Sequence, residues 1–267
     1  IRGGRRPEVP ALGVITQNLE NPLMRKQLGL GKTESGVMIV QVDHGASSHG
    51  VLAPRDVVMA IDGHTIANNG TVRYDGRHRT RFDVVLTGRY VGDTIAFQTM
   101  RAGVRRDVEV TLQPWMPLVP RARYDRPPVY FVYGGFVFQP LTRDFLTTWD
   151  KWWNKAPKEF LYHYYLGSRS AEREEVVILT QILADELNVG YGHLYNEAVA
   201  KLDGIVPRDI EDFVLRLSET RGVVEIETTS GGIIMLDADE VRKATPRILN
   251  RYHIPRDRTV GLPGSLP

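Results

Sequence analysis

The chain of 267 residues contains no cysteine. That absence removes disulfides, thiolate nucleophiles and cysteine-ligated zinc together. It also fits an oxidising compartment, where stray thiols are a liability. Long apolar runs are missing as well: none reaches the roughly 18 residues of a membrane helix, so no membrane span is expected. The seven histidines, at 44, 49, 64, 78, 163, 193 and 253, form no H-E-x-x-H pair and no repeated carboxylate–histidine spacing. No metal site and no cofactor is therefore expected. Asp185, Glu186, Asn188 and Gly190 bring oxygens together in ADELNVGY, but the twelve-residue calcium loop is absent and they read as loop residues. Nor does one sign of charge dominate. Residues 1–122 carry 16 basic and 11 acidic side chains and the remainder 18 and 21, for a net +2. An excess that small does not mark a nucleic-acid partner. No secretory leader is visible in the basic, proline-broken opening IRGGRRPEVP, which suits a processed protein or an excised piece.

Serine catalysis is not supported either. The nearest approach to a G-[DN]-S-G-G turn is TTSGG at 228–232, where Thr229 replaces the required Asp or Asn. The triplet lies between two alternating runs, so a hairpin turn accounts for it. In GASSHG, His49 stands where G-x-S-x-G needs its closing glycine. No residue of the chain is expected to be catalytic.

What is present is globular composition, 42% apolar and 25% charged, in a length that suits two domains. One order of elements is read twice. A strand at 12–17 is followed by a short helix over PLMRKQLGL, a strand at 36–42 and strands around Asp62-Gly63. A second helix over 80–89 then places Phe82, Val85 and Leu86 on one face, and two strands span 93–112. In the second half the strand is 134–138, entered through Gly134-Gly135. The runs at 174–183, 198–206 (with Asp203-Gly204), 208–222 and 223–237 then answer their counterparts. Residues 238–255 read as an added helix, capped by Asp237 with Glu240 three places on. Proline-rich sequence separates the halves.

The strand and turn order resembles a PDZ domain, twice, through LGV at 12–14, GVMIVQV, DVVMAIDG and DTIAFQTMRAGVRRDVEVTL. Over residues 9–259 the chain is similar to the tandem PDZ region of Deg/HtrA serine endopeptidases, particularly the plant-type branch. The segments GVITQNLENPLMRKQL, YGGFVFQPLT, VVILTQILADELNVGY and ILNRYHIPRDR carry that closer match. The resemblance implies a strand-rich, mixed α+β fold of two PDZ-like domains, each a partly open β-barrel or sandwich with two helices. The expected boundaries are 9–115 for the first domain, 116–128 for a linker, 129–237 for the second domain with a helical insertion at about 140–173, and 238–260 for a C-terminal helix and tail.

A peptide can add itself as a strand to an exposed sheet edge, and successive backbone N–H groups can form a nest for its terminal carboxylate. By resemblance, the amides of Leu12, Gly13 and Val14 face that carboxylate, and Ile15 and Thr16 pair with the peptide. Arg81 and Val85 are presented across the groove, so the pocket for the last side chain is apolar. The matching second groove comprises Gly134, Gly135, Phe136, Val137 and Leu215. Trp149, Trp152 and Trp153 recur at helical spacing in the insertion; they cover the domain's own core or form a subunit interface. The arginine-rich RYDGRHRTR at 73–81 reads as a solvated loop that favours acidic residues upstream of a ligand's C terminus.

The expected function is a peptide-binding regulatory module of a Deg/HtrA-type protease. Its partners are a peptide or unfolded protein, its own protease domain and further copies in a homo-oligomer; neither nucleic acid nor membrane is among them. A stand-alone PDZ scaffold is the alternative. The resemblance allows the bacterial periplasm or a plant organelle, and the periplasm is the compartment expected.

Overall fold

A computed structural model describes residues 9–74, 76, 78–122 and 126–264. Two compact units form, Ile1–Met116 and Pro117–Pro267.

In the first unit the strands are β1 (Pro10–Ala11), β2 (Val14–Asn18), β3 (Val37–Val42), β4 (Val57–Ile61), β5 (His64–Thr65), β6 (Thr71–Arg73), β7 (Arg79–Arg81), β8 (Thr94–Arg101), β9 (Val104–Thr111) and β10 (Gln113–Pro114). The main sheet runs β2-β3-β4-β8-β9, with β5 on β4, while β1 pairs β10 and β6 pairs β7. Alternation decides the inner face. In β8, Ile95 and Phe97 are buried while Thr94, Ala96 and Gln98 are exposed. They join Val37, Ile39, Ile61 and Val110 in one core. Helix α1 (Pro22–Gln27) starts at Asn21, whose side chain accepts from the Leu23 and Met24 N–H groups, with Pro22 at the first position.

The helix expected over 80–89 is replaced by two elements. Arg79–Arg81 pair with Thr71–Arg73 as a strand, and only Phe82–Leu86 turn, as a 3-10 helix. β-Branched Thr80, Val84, Val85 and Thr87 weaken an α-helix there, and Gly88 takes φ +86°.

The second unit contains β11 (Phe131–Tyr133), β12 (Phe136–Pro140), β13 (Val177–Ile182), β14 (Glu197–Leu202), β15 (Val223–Thr228) and β16 (Ile233–Asp237), hydrogen-bonded in that order as one six-stranded sheet. Its helices are α2 (Arg143–Leu146), α3 (Trp152–Lys155), α4 (Lys158–Leu166), α5 (Ile210–Glu219) and α6 (Ala238–Arg251). Asp209 caps α5 through the Asp212 N–H, and Asp237 caps α6 through the Asp239 and Glu240 N–H groups. Phe138 meets Phe213 of α5 edge-on at 4.8 Å in the core.

The insertion is three short helices, interrupted where Lys151 takes φ +50° and at Pro157. Its Leu146 and Phe160 pack with Val176, Ile178 and Ala198 in a satellite core. Leu118 and Val119, inside the stretch read as a linker, are buried in that same cluster. Helix α6 is clamped by Asp185, whose side chain is fully buried and bonds Arg247 at 2.6 Å and Arg251 at 3.4 Å. Those guanidiniums and the Leu187 N–H hold its carboxyl below the usual range, against the opposing effect of burial.

Candidate functional site

The turn from Ala11 to Val14 is fixed from below by loop 43–48. The Asp43 N–H donates to the Gly13 carbonyl at 2.8 Å and the Ser48 N–H to the Leu12 carbonyl at 3.1 Å. Ser47 Oγ donates to the Ala11 carbonyl and accepts from the Gln113 N–H. Gly13 takes φ +67°, and a Cβ placed on it would lie 2.1 Å from the Ala46 Cβ. Glycine is required here by backbone sign and by close approach together. Carbonyls of the turn thus face the loop. Among the described residues, the Leu12 and Gly13 N–H groups donate to no protein acceptor.

Strand β2 is an edge. It pairs β3 on one side, and among the described residues nothing pairs it on the other. Because Asp43 N–H bonds Gly13 C=O, the Val14–Val42 pair is a non-hydrogen-bonded one. The main-chain groups of Val14 therefore face the free side. Across the irregularity between Ile15 and Thr16, Thr16 stands opposite Ile39, whose N–H and C=O bond Asp56 and Arg55 instead of β2, so the main-chain groups of Thr16 also face the free side while Ile15 turns toward β3. The ladder expected of Ile15 and Thr16 therefore falls to Val14 and Thr16.

A cleft of about 690 Å³ runs between this turn and the 3-10 segment. Its walls include Gly13, Val14, Phe82, Val84, Leu86 and Trp115. Arg81 stands in the cleft lining, 3.3 Å from Asp83. Val85 does not line it. In a 3-10 helix residues i and i+3 share a face, so Phe82 and Val85 both turn to the core, at 4% and 5% exposure. Leu86 then takes the place expected of Val85. Leu12 is buried in the core beneath the turn and also contributes to the cleft wall. Trp115 was hidden from sequence reasoning because it follows Pro114 in a stretch that reads as connection. Asp43 also belongs to the cleft wall, its carboxylate engaged by the Gln41 side chain at 3.1 Å.

The second groove is not built this way. Gly134 and Gly135 take φ +58° and +86° as the two-residue hairpin turn joining β11 to β12, with Tyr133 opposite Phe136 and Phe131 opposite Phe138. The edge of β12 is therefore paired with its own chain. Strand β11 is held on its far side by the tail: the Val132 N–H donates to the Asp257 carbonyl at 2.6 Å, the Thr259 N–H donates to the Tyr130 carbonyl at 3.0 Å, and Phe131 bridges Arg258. Phe136 is fully buried and Val137 partly so. Leu215 lies on the outer face of α5, at 44% exposure, away from the buried Ile210, Phe213, Val214 and Leu217.

Trp149 and Trp152 pack against the satellite core, while Trp153 remains 59% exposed. Ser230 sits in the turn between β15 and β16 and bonds Glu197 and Thr228. Among the described residues no group of three or more His, Asp or Glu is placed to hold a metal ion, and no helix is long and apolar enough to cross a membrane. Two residues of the arginine-rich stretch, Asp75 and Arg77, lie outside the described residues.

Comparison with known proteins agrees with this architecture. The PDZ domain family matches over residues 10–112 and again over 119–261. The chain is 29% identical over 263 residues to Protease Do-like 2, chloroplastic, of Arabidopsis thaliana, covering 98% of this chain and 43% of that protein. It is 26% identical over 249 residues to Putative protease Do-like 3, mitochondrial, of the same plant, covering 92% of this chain and 42% of that protein. The chain thus spans less than half the length of these relatives. Among solved structures, the HtrA-type protease AlgW with decapeptide matches 41% of this chain and 30% of that one, at 23% identity and a TM-score of 0.31. The chain belongs to the PDZ-domain family, as two PDZ domains in tandem of the kind found in plant Deg/HtrA proteases.

Proposed function

We propose that the first domain takes an extended polypeptide segment onto the free edge of β2, with the segment's C-terminal carboxylate on the Leu12, Gly13 and Val14 amides. One observation carries this reading: an edge strand without a partner begins at a turn whose N–H groups donate to nothing among the described residues. Val14 and Thr16 supply the ladder, the amide turn supplies the anion nest, and Phe82, Val84 and Leu86 receive the last side chain. Arg81 stands on the rim.

The second domain, whose corresponding edge is already paired, serves assembly. Exposed Trp153, Tyr162 and Tyr165 of the insertion are its contact surface with further copies. The relatives are named as proteases. On that similarity the chain is the regulatory part of a Deg/HtrA-type serine endopeptidase and cleaves nothing itself. Peptide-bond cleavage by this chain in an unfolded protein would contradict that; a parent reading frame without a protease domain would leave a stand-alone scaffold.

A second reading has a specific observation behind it. The Asp43 carboxylate in the cleft wall repels another carboxylate and favours an uncharged internal segment. Binding of a fluorescent decapeptide with an apolar last residue, as free acid and as amide, separates the two. Charge-assisted bonds to the amide turn make the free acid at least about tenfold tighter. Equal affinities establish the internal-segment reading, and failure of both peptides to bind removes strand addition altogether.

A further inference from the structure

The hairpin of β6 and β7, which leaves the fold beside the far end of β2, is rich in arginine. Strand β2 runs about 13 Å from Val14 to Asn18 at strand rise. At its distal end the Leu19 N–H donates to the Asn68 carbonyl at 2.8 Å. A Cβ placed on Gly70 would lie 3.7 Å from Asn18 Oδ1. The hairpin of β6 and β7 begins at this point, with Thr71 opposite Arg81 and Arg73 opposite Arg79, and the Phe82 N–H returns to the Gly70 carbonyl at 3.0 Å. Arg79 is exposed, yet its side chain is held in place. Its guanidinium folds back onto Thr71, with Nε 3.0 Å from the Thr71 hydroxyl and Nη2 3.1 Å from the Thr71 carbonyl. Both acceptors are neutral, so they fix the guanidinium without cancelling its charge. Arg81 beside it is offset by Asp83. Over residues 68–83 the sequence holds four arginines against two aspartates.

We infer that the groove selects polypeptide ends with acidic residues about four to six places before the last one. The inference rests on strand addition to β2. A ligand antiparallel to β2 with its terminus at Gly13 brings its fifth residue from the end level with Asn18. Aspartate or glutamate there, or just beyond, passes Arg81 at the root of the hairpin and meets the prefixed Arg79 further out. The opposite wall at the Gly13 end carries Asp43, so the groove has a charge polarity along its length. An acidic segment lies favourably in one direction only, and that polarity sets the ligand's orientation as well as its class.

The test uses the full chain and three fluorescein-labelled decapeptides sharing the same apolar last residue. Positions four to six before it are Asp-Glu-Asp, Ser-Asn-Ser or Lys-Arg-Lys. Exposed charge pairs of this kind give a preference of about three- to tenfold for the acidic over the neutral peptide at low ionic strength. The preference disappears near 1 M salt, where the screening length is about 3 Å. Arg79→Glu moves the optimum to the basic peptide while leaving neutral-peptide affinity within about twofold. Equal affinity of the wild-type chain for acidic and neutral peptides at low salt overturns the inference and leaves strand addition standing. No binding of any of the three removes strand addition first. A 20-nucleotide single-stranded DNA that binds more tightly than the acidic peptide makes the hairpin a general polyanion patch and also overturns it. Should Arg79→Glu fail to fold, the salt response of the wild-type chain decides alone.

Discussion

Replacing Gly13 by alanine perturbs the turn at the one position where both backbone sign and packing oppose a side chain. The residue sits at φ +67°, which costs an alanine roughly 1–2 kcal/mol. Its Cβ would also lie 2.1 Å from the Ala46 Cβ, where carbon atoms normally rest about 3.5–4.0 Å apart. Loop 43–48 must therefore retreat by about 1.5 Å, an overpacking that costs about 1–3 kcal/mol. The sum is about 2–5 kcal/mol. The second part is separable. Removing the Ala46 Cβ leaves Asp43 Cβ at 3.5 Å and Ala46 Cα at 3.6 Å as the nearest atoms, both ordinary contacts. The double variant Gly13→Ala, Ala46→Gly is therefore expected to recover the overpacking term and keep the backbone term, giving a coupling of about 1–3 kcal/mol. Hydrogen-exchange mass spectrometry in urea, followed on segments 36–42 and 94–111, reports the first unit separately from the second. A Gly13→Ala variant within about 0.5 kcal/mol of wild type, or an Ala46→Gly change that recovers nothing, would refute the packing argument.

Two further perturbations probe buried charge. Asp185→Asn removes a carboxyl whose pKa in the folded chain is held, against burial, below the ordinary aspartate range by the Arg247 and Arg251 guanidiniums and the Leu187 N–H. Its contribution is present above that range and fades as pH falls through and below it. The variant is therefore expected to destabilise α6 at neutral pH and to flatten the acid limb of exchange in residues 238–251 below about pH 4; an unchanged acid limb contradicts the clamp. Asp56 is 1% exposed and receives Arg101 Nε and Nη2, each at 2.6 Å, and the Ala53 N–H at 2.9 Å. Asp56→Ala leaves Arg101 with only the Val51 carbonyl and is expected to cost about 3 kcal/mol in urea unfolding of the first unit; a loss under 1 kcal/mol would show the pair to be dispensable.

Much of this fold was legible because its turns are chemically explicit. Asp62-Gly63 and Asp203-Gly204 read as hairpin turns and take φ +48°/+78° and +48°/+75°. Gly134-Gly135 has the same left-handed pair of angles, yet its resemblance to the Gly13 turn points to a second carboxylate loop. The signal was available: Gly-Gly between apolar FVY and FVF is itself a two-residue hairpin pattern. It was masked because Phe131, Val132 and Tyr133 are all buried, so β11 lacks the alternation that marks a half-exposed strand. The groove wall failed for a different reason. Phe82, Val85 and Leu86 fit an α-helical face, but five residues wound as a 3-10 turn put Phe82 and Val85 inward and Leu86 outward. Sequence spacing indicates which residues share a face only once the helix type is known. The aromatic insertion divided along the lines of burial: Trp149 and Trp152 went to the domain's own core and Trp153 did not.

The central claim is that one groove of the two is open and seats a polypeptide end. Amide chemical shifts of the full chain, titrated with a decapeptide having an apolar last residue, test it directly. The account predicts changes centred on Leu12, Gly13, Val14 and Thr16, saturation at one equivalent, and their loss when the peptide is C-terminally amidated. Shifts centred on Phe136–Pro140, or a second equivalent bound there, would contradict it.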